Sequence, residues 1–464
     1  MRTLQEFGRK EGKNLEEIPG AVRSVCEELE RAGYAAHMVG GCVRDLLRGQ
    51  MPHDWDVTTD ALPDEVMALF SGESFPTGLR HGTVTVKRMG EPVEITTYRV
   101  DGDYSDGRHP TQVTFTRSLS EDLRRRDFTV NAMAMDLRGR ITDLYGGQED
   151  LEQGILRCVG DPDERFGEDA LRLLRGLRFA SVLGYTVEEE TAAAIHRNKE
   201  LLRQIAPERV RVEMDRLLCG AGAAEILLAY PDVLCVFLPE VAPAVGLDQR
   251  NIHHCYTVWE HIARSVAAVP PETVLRWTML LHDLGKPLCF TVDARGVGHF
   301  YGHGEISTGI AKKCMARLRF DNKTAERVTT LVQWHDRDIP RTEKSIRRAL
   351  SRLGEEGLRQ LIAVKRADNL AQAPAFRWVQ GELDKAEDIL DDLLRAETCF
   401  SLRQLAVSGR DVQALGLKGP AIGAALEGAF QKVLDGELPN EKEPLLRWIG
   451  KQPAQAPAAR KRRQ

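Results

Sequence analysis

Two glycines and two aspartates near the N-terminus have the types and spacing of a metal-assisted phosphate site. Gly40 and Gly41 follow an apolar segment, and glycines between a strand and a helix let backbone N–H groups approach a phosphate closely. Arg44, one helical turn on, adds a charged fork to the same anion. Asp54 and Asp56 would point to one face of a strand, where paired carboxylates suit Mg²⁺. Each motif alone also fits a plain turn or a solvated strand end, but their closeness in the chain favours a site.

A run of three arginines, Arg124 to Arg126, lies directly before the apolar segment FTVNAMAM. Three consecutive arginines cannot all be buried, so a solvated basic run is one interpretation. The apolar segment is predicted to be buried, however, and it would hold the arginines in fixed positions. Fixed arginines favour binding of a triphosphate or of an RNA backbone.

The segment EDALRLLRGLRF predicts a helix that carries a carboxylate and a stripe of arginines. On one helix, Asp169 and Arg172 would be neighbours, and Arg175 and Arg178 would continue the stripe. One interpretation is an intrahelical salt bridge with a solvated basic face. The other is a base-reading edge, in which the carboxylate accepts from the amino group of cytosine or adenine while the guanidinium donates to a ring nitrogen. Guanine and uracil present the reverse pattern, so this edge would select C and A without a template.

The elements that must position these groups change in character along the chain. The first 150 residues or so predict a helix from Pro19 to Arg31, a strand from Tyr34 to Val39 and a helix from Cys42 to Leu47. The segments GTVTVKR and EPVEITTYR predict two strands joined by a turn at Gly90. From Glu168 onward, apolar residues recur about every 3.6 positions, which predicts helices. The predicted fold class is therefore α+β, with an N-terminal mixed part followed by helical parts.

Length and composition restrict the class of protein further. A chain of 464 residues predicts about three domains, and 42% hydrophobic with 29% charged residues is typical of a soluble globular protein. No stretch approaches the roughly 20 apolar residues of a membrane span, and the charged N-terminus has no apolar signal core. Nine cysteines without a Cys-x-x-Cys pair indicate reduced thiols and a cytoplasmic location. A net charge of -5 neither requires nor excludes a nucleic-acid partner.

Five segments together resemble a known family. The strings GGCVRD, DWD, TYRVDGDYSDGRHPTQVTF, RRDFTVNAMAMD and EDALRLLRGLRF are similar to class II tRNA nucleotidyltransferases, the CCA-adding enzymes, and to their poly(A) polymerase relatives. The resemblance runs from about Tyr34 to Cys219, with the motifs in the family's order. It implies a polymerase-β-type nucleotidyltransferase head at 20–150, a nucleotide- and RNA-binding neck at 151–220, a helical body at 221–345 and a tRNA-binding helical tail at 346–450. The histidines described below make the body at 221–345 an HD-type helical domain. The stretch at 451–464 is rich in Pro and Ala and then basic, with no apolar period, which predicts a disordered basic tail.

The same resemblance implies a reaction and its residues. The tRNA 3′-hydroxyl would attack the α-phosphate of CTP and then of ATP, releasing pyrophosphate, with two Mg²⁺ ions and a bound tRNA acceptor stem. The catalytic metal ligands would be Asp54 and Asp56, with Glu94 a candidate third carboxylate. The triphosphate contacts would be Gly41, Arg44, Arg126, Arg175 and Arg178, and the base would be read by Asp169 and Arg172.

Histidines farther along the chain resemble the HD phosphohydrolase superfamily. The series is Glu260-His261, His282-Asp283-Leu284-Gly285-Lys286, His303 and His335-Asp336. Imidazoles and a carboxylate on successive helices can bind a divalent transition metal and activate water. The predicted ligands are His261, His282 and Asp283, with His253 and His254 as alternatives for the first position. The other interpretation is that these helices only pack and support RNA.

Two further functions compete with CCA addition. A poly(A) polymerase or an enzyme that adds only A belongs to the same superfamily, but GDYSDGRHP and TRSLSEDLRRRDF resemble the CCA-adding version. An HD phosphohydrolase whose head only binds RNA is the rival from another class. The paired carboxylates Asp54 and Asp56 argue against it, because a binding module does not need them.

Overall fold

The computed structural model describes residues 18–102, 113–338, 342–396 and 399–452. They form two compact units, one reaching Ala242 and including Arg317–Phe320, the other comprising the remainder from Pro243. Most of the GDYSDGRHP loop and the predicted disordered tail beyond residue 452 lie outside the described residues.

The first unit combines strands and short helices. Its helices are α1 (Gly20–Arg31), α2 (Gly41–Leu47), α3 (Pro63–Leu69), α4 (Leu119–Arg124), α5 (Gly147–Gln153), α6 (Pro162–Glu168), α7 (Leu171–Leu183), α8 (Glu189–Asn198), α9 (Pro207–Leu218), α10 (Ala223–Ala229) and α11 (Pro231–Leu234). Its strands are β1 (Ala36–Val39), β2 (Asp56–Thr59), β3 (Ser74–Gly78), β4 (Thr83–Arg88), β5 (Glu91–Thr97), β6 (Arg99–Asp101), β7 (Val113–Phe115), β8 (Met133–Met135), β9 (Ile141–Asp143), β10 (Ile155–Leu156) and β11 (Thr186–Val187).

Seven of these strands form one mixed sheet in the order β3-β4-β5-β2-β1-β8-β9. Only β2 and β5 pair in parallel within it, and the β4–β5 hairpin turns at Gly90, whose φ is 86°. This confirms the hairpin predicted from alternation, and α1, β1 and α2 lie within two residues of their predicted bounds. The parallel β2–β5 pair matters most for the site, because it places residues of both strands side by side.

Helix α1 covers the sheet because its apolar residues share one face. Val22, Val25 and Leu29 are buried in one core with Met38 of β1 and Ile95 of β5. Removing these side chains from water supplies the main driving force for seating α1, at roughly 25 cal/mol per Å² of apolar surface. The sheet is thereby a rigid support for the polar ends of β2 and β5.

The neck region that follows is mostly helical, with α7 packed against α6, α9 and α10. It also contains a small element that the sequence did not predict, the parallel pair of β10 and β11. Phe128 connects this region to the sheet region: its ring packs edge-on against Phe179 at 5.9 Å. Gly176 permits this packing, since a Cβ there would lie 3.0 Å from the Phe128 ring.

In its described residues, the second unit is helical apart from a two-stranded hairpin. Its helices are α12 (Val258–Ala268), α13 (Thr273–Leu281), α14 (Lys286–Cys289), α15 (His303–Arg317, whose last residue falls in the first unit), α16 (Asn322–Trp334), α17 (Glu343–Leu370), α18 (Val379–Arg395), α19 (Gly409–Ala414), α20 (Pro420–Leu434) and α21 (Lys442–Gly450). Its strands are β12 (Thr291–Val292) and β13 (Gly298–His299). Helix α17 packs on α12, α13, α16 and α18, and Gly354 interrupts it with a φ of 70°. Among the described helices, none is both long and apolar enough to cross a bilayer.

Candidate active site and metal centre

Three carboxylates line one pocket at the edge of the sheet. Asp56 of β2 is the register partner of Glu94 on the parallel strand β5, so both side chains project from the same side. Asp54 lines the same pocket of about 760 Å³, and all three carboxylates are exposed to solvent. An oxygen-only set of donors at a solvent-accessible edge fits Mg²⁺. The structure thus brings together the two predicted ligands and the candidate third one.

The protonation of Asp56 reflects its neighbours. The pKa of the Asp56 carboxyl is raised above its ordinary value, chiefly because the surrounding protein displaces water. The Arg126 guanidinium lowers this pKa, and the Asp54 carboxylate raises it. A divalent cation between the two aspartates would replace their mutual repulsion by attraction. The pair is therefore poised to gain from metal binding.

The glycine turn and two predicted arginines lie beside one another. Gly40 joins β1 to α2 with a φ of 80°, and a Cβ there would lie 3.1 Å from Nη1 of Arg126. A Cβ on Gly41 would lie 3.6 Å from Nη2 of Arg44. Arg44 is held in place, because it donates to both oxygens of Asp45 at 2.9 and 3.1 Å. The guanidinium groups of Arg44 and Arg126 thus lie on either side of the Gly40-Gly41 backbone, which carries no side chain.

The run of arginines is positioned by a buried aspartate. Arg124 is exposed, whereas Arg125 and Arg126 are half-buried and donate to Asp122 at 2.8 and 3.2 Å. Burial would raise the pKa of Asp122, but the two guanidinium groups outweigh burial and hold the pKa below its usual value. Of the two interpretations of this run, a solvated run or arginines held in fixed positions, the structure supports the second for Arg125 and Arg126.

The arginines of α7 are also held by carboxylates. Arg175 donates to Asp127, and Arg178 pairs with the buried Glu213 of α9 at 3.1 Å. Burial lowers the pKa of Arg178 to about 10, with Glu213 acting in the opposite direction, so the guanidinium stays charged at neutral pH. Their side chains, and that of Arg44, surround the Phe179 ring with the guanidinium carbons 4.0 to 5.5 Å from its centroid. The stripe is not a solvated face.

The prediction that Asp169 and Arg172 lie on one helix is wrong. Asp169 lies between α6 and α7 with extended backbone angles (φ −139°, ψ 103°), and its Oδ1 accepts from the Leu171 N–H at 3.0 Å. Arg172 donates instead to Glu168 at 2.6 Å and to the Arg125 carbonyl at 2.9 Å. An aspartate readily bonds to backbone N–H groups and so ends a helix where apolar spacing alone would continue it.

A second cluster lies in the other unit and contains all three predicted HD ligands. His261 of α12 has its Nε2 3.2 Å from Nε2 of His282 and 3.2 Å from Oδ2 of Asp283. Asp368, near the end of α17, completes the group at 2.9 Å from His261 Nε2. The sequence analysis missed Asp368, because the segment DNL has no local motif and only the fold brings it here. His254 packs against His261, at 4.9 Å between ring centroids, without joining the group.

The cluster contains a buried carboxylate oxygen without a well-directed hydrogen bond and a histidine whose pKa is raised. Oδ2 of Asp283 is buried and accepts no well-directed hydrogen bond among the described residues, although Lys286 Nζ lies 2.7 Å away. Burial lowers the pKa of His282, but Asp283 and Asp368 outweigh it and raise the pKa to about 10. His282 is therefore protonated at neutral pH. The nitrogen and oxygen donors of the cluster converge on one point, where a divalent transition metal could replace this proton.

Comparison with known proteins decides the family. Family models match residues 36–157 as "Poly A polymerase head domain", 184–245 as "Probable RNA and SrmB- binding site of polymerase A" and 251–373 as "HD domain". The chain is 37% identical to a CCA-adding enzyme of Geobacillus kaustophilus over 433 residues. This alignment covers 92% of the present chain and 95% of the Geobacillus chain. The chain belongs to the CCA-adding enzyme family.

Solved structures of CCA-adding enzymes agree with this assignment. The Bacillus stearothermophilus CCA-adding enzyme, crystallised in complex with CTP, is 30% identical and aligns with a TM-score of 0.70 over 94% of this chain and 97% of that one. The Thermotoga maritima CCA-adding enzyme complexed with tRNA shares the fold at 18% identity, with a TM-score of 0.58 over 97% and 98% of the two chains. The polymerase-type head followed by helical regions is thus the family's architecture, as predicted.

The matched regions divide the candidate residues of this CCA-adding family member into three groups. Asp54, Asp56 and Arg126 fall in the head match, and the HD match contains His261 and Asp368. The arginine stripe of α7 lies between the head and the RNA-binding matches. The domain boundaries and the role of each residue remain predictions.

Proposed function

We propose that this protein adds C, C and A to the 3′ end of tRNA, using CTP and ATP and releasing pyrophosphate. The observation that carries the proposal is the pocket shared by Asp54, Asp56 and Glu94, beside the glycine turn with Arg44 and Arg126. Carboxylates for cations next to arginines for phosphates are the groups that nucleotidyl transfer needs. The relatives named as CCA-adding enzymes support the same activity.

In the head, the acidic residues would bind the metal ions and the arginines would bind the triphosphate. Asp54 and Asp56, with Glu94 as a third donor, would hold Mg²⁺, which when bound favours the ionised 3′-hydroxyl and neutralises charge on the departing pyrophosphate. Arg44 and Arg126 would bind the triphosphate beside the open backbone of the glycine turn. The hydrogen bonds of Arg44 to Asp45 fix its guanidinium before the nucleotide arrives, so little side-chain entropy is lost on binding.

The residues proposed to read the base need one rearrangement. Arg172 is engaged by Glu168 and by the Arg125 carbonyl, whereas the Asp169 carboxylate has Oδ2 3.9 Å from Arg209. We assign the acceptor of the cytosine or adenine amino group to Asp169, and the ring-nitrogen donor to Arg172 after it exchanges Glu168 for the base. Arg175 and Arg178 would add charge towards the triphosphate.

The HD cluster supports a second activity. His261, His282, Asp283 and Asp368 would hold a divalent transition metal, which supplies Lewis acidity and an activated water for hydrolysis. A pocket of about 890 Å³ adjoins Asp283 and Asp368 and is lined by Lys286, a cation suited to a phosphate ester. We propose phosphate-ester hydrolysis there, separate from nucleotide addition.

A single assay tests the main proposal. The purified protein is incubated with tRNA lacking its 3′ end and with one labelled nucleotide at a time. CTP alone should extend the tRNA by two residues, ATP alone by none, and the two together by three. Addition of A only to tRNA that already ends in CC would identify an A-adding enzyme, and long A tails would identify a poly(A) polymerase.

A further inference from the structure

One aromatic ring lies among three of the arginines proposed to bind the triphosphate. Phe179 of α7 is half-buried, and the guanidinium carbons of Arg178, Arg44 and Arg175 lie over its ring at 4.0, 5.3 and 5.5 Å from the centroid. The face of an aromatic ring is the negative side of its quadrupole and attracts cations within about 6 Å. A single uncharged side chain therefore attracts all three positive charges.

Arg178 depends on this ring more than the other two arginines do. Arg44 and Arg175 each donate to a carboxylate through well-directed hydrogen bonds. Arg178 is buried, and its carboxylate partner among the described residues is Glu213, whose Oε2 lies 3.1 Å from Nη1 without accepting a well-directed hydrogen bond. The face of the Phe179 ring, at 4.0 Å, is the second close partner of this buried charge.

The three guanidinium groups repel one another. The pKa of Arg178 is lowered to about 10, chiefly by burial and in part by the positive charge of Arg175, against the opposing effect of Glu213. The ring attracts the cations without accepting a conventional N–H···O hydrogen bond, so their free N–H donors stay available to phosphate oxygens. A carboxylate in place of the ring would neutralise the cations and compete with the phosphates.

The ring is itself held in place by the segment that anchors Arg175. Phe128 packs against Phe179 with 5.9 Å between the ring centroids and 77° between the ring planes. Phe128 is fully buried and directly follows Asp127, the acceptor of Arg175. Gly176 leaves room for Phe128, because a Cβ there would lie 3.0 Å from its ring. The position of Phe179 is therefore fixed by packing as well as by the arginines.

We propose that Phe179 is a positioning residue for the triphosphate of the incoming nucleotide. Its ring face holds Arg44, Arg175 and Arg178 together before the nucleotide binds. The ring yields them to the phosphate oxygens afterwards, because hydrogen bonds between a guanidinium and a phosphate are stronger than contact with a ring. This role rests on the triphosphate contacts proposed above for the three arginines. A ring with a less negative face should therefore bind the triphosphate more weakly.

Fluorinated phenylalanines separate the charge distribution of the ring from its shape. Mono-, di- and trifluorophenylalanine are incorporated at position 179 of the full chain, and each added fluorine makes the ring face less negative at nearly constant size. Affinity for inorganic triphosphate is measured by titration calorimetry, and KM and kcat for CTP are measured with truncated tRNA. Affinity should fall and KM should rise with each fluorine, reaching about tenfold for the trifluoro ring, with kcat nearly unchanged.

Three controls accompany this series. The same fluorinated residues are placed at Phe166, a fully buried ring of α6 that no arginine covers among the described residues, and should leave affinity and KM unchanged. Phe179→Tyr retains a ring face and should bind inorganic triphosphate like the wild type. Phe179→Leu removes the face and should match the trifluoro ring, with thermal unfolding as the check on folding.

The contrary results are distinct from one another. Equal affinity across the fluorinated series would show that the ring acts by shape alone, and tighter binding with added fluorine would show that the ring competes with the triphosphate for the arginines. Either result overturns the role of Phe179. If the wild type binds no inorganic triphosphate, the phosphate contacts of the arginines are rejected together with this role, even where CCA addition proceeds. If the wild type adds no nucleotide, CCA addition is rejected, and the calorimetric series still decides what the ring does.

Discussion

Arg175 of α7 donates through Nε and Nη2 to the same oxygen of Asp127, at 2.9 and 2.5 Å. The other oxygen of Asp127 accepts from Asn131 at 3.2 Å, and Asn131 in turn accepts from Arg44 at 2.6 Å. A guanidinium from the sheet region and one from the neck are thus linked through two buried side chains. Any movement of Arg175 towards a nucleotide is therefore coupled to Arg44.

Replacing Asp127 by Asn should destabilise the first unit by about 2 kcal/mol at pH 7. This is less than the roughly 3–5 kcal/mol of a fully buried broken pair, because the Arg175 side chain is 35% exposed. Arg175 and Asn131 hold the pKa of Asp127 well below its usual value despite burial. The carboxylate thus stabilises the fold fully above its unfolded pKa of about 3.9 and loses this effect as pH falls towards the folded pKa.

Urea denaturation at pH 7 and at about pH 3 checks this prediction, and the difference between wild type and Asp127→Asn should shrink at the lower pH. Asp163→Asn is the control, because its pair with Arg197 is half exposed and should be worth less than about 1 kcal/mol. An equal effect of Asp127→Asn at both pH values would show that its charge is not what stabilises the fold.

Asp54→Asn and Asp56→Asn should each lower nucleotide addition by more than about a hundredfold while leaving the fold intact. Both side chains are exposed, so their loss removes cation ligands without opening a cavity. Incorporation of labelled CTP into truncated tRNA is the readout, with thermal unfolding as the check on folding. Asp64→Asn on α3, an exposed carboxylate outside the pocket, should behave as wild type. Full activity in the Asp54→Asn, Asp56→Asn double variant would reject the metal assignment.

Glu94→Gln should raise the Mg²⁺ concentration needed for half-maximal activity. The amide keeps the shape and the register of β5 opposite Asp56 but removes one negative charge from the pocket. A Mg²⁺ titration at saturating CTP separates this effect from a loss of turnover. If the midpoint stays at the wild-type value, Glu94 is not a ligand and the third carboxylate must be sought elsewhere.

Asp169→Ala should reduce base discrimination more than chemistry. Loss of the acceptor for the amino group removes about 1–3 kcal/mol of selectivity, so the ratio of CTP to UTP incorporation should fall by roughly tenfold or more. The substitution also deletes the contact to Leu171 at the start of α7, which costs about 1 kcal/mol. Asp161→Ala is the matched control, because Asp161 caps α6 through Asp163 without a predicted base contact. A similar ratio in both variants would make Asp169 a capping residue only.

Binding to tRNA should weaken as salt rises, despite the net charge of -5. Arginines that contact phosphates release condensed counterions, so log affinity should fall linearly with log salt between roughly 50 and 200 mM. Arg124→Gln should reduce that slope by about one, because Arg124 is the exposed member of the run of arginines. Arg203→Gln, an exposed surface arginine paired with Glu200, is the control and should keep the wild-type slope. An affinity independent of salt would contradict backbone recognition.

The elements that could be predicted from the sequence are those set by a local pattern of residues. Alternation and Gly90 located the hairpin whose strand β5 carries Glu94, and the spacing of Asp54 and Asp56 located the pocket. Helical periodicity failed at Asp169, since it records where apolar side chains fall and is blind to a carboxylate that bonds to the backbone. Asp368 was out of reach for a different reason. It lies 85 positions after Asp283, on a helix whose packing alone brings them together.

The close approach of Gly285 to the start of α15 has a consequence for mutational scanning. A Cβ at Gly285 would lie 2.6 Å from the His303 carbonyl oxygen and 2.6 Å from the Ser307 backbone nitrogen, so no residue with a side chain fits without a backbone shift. Every substitution at Gly285 should therefore disturb the proposed metal cluster as much as a substitution of Asp283 itself, although glycine offers no ligand atom. In a library of single variants the two positions would form one intolerant block. Chelator-dependent thermal stability would separate them, because Gly285→Ala moves the ligands apart whereas Asp283→Asn removes one.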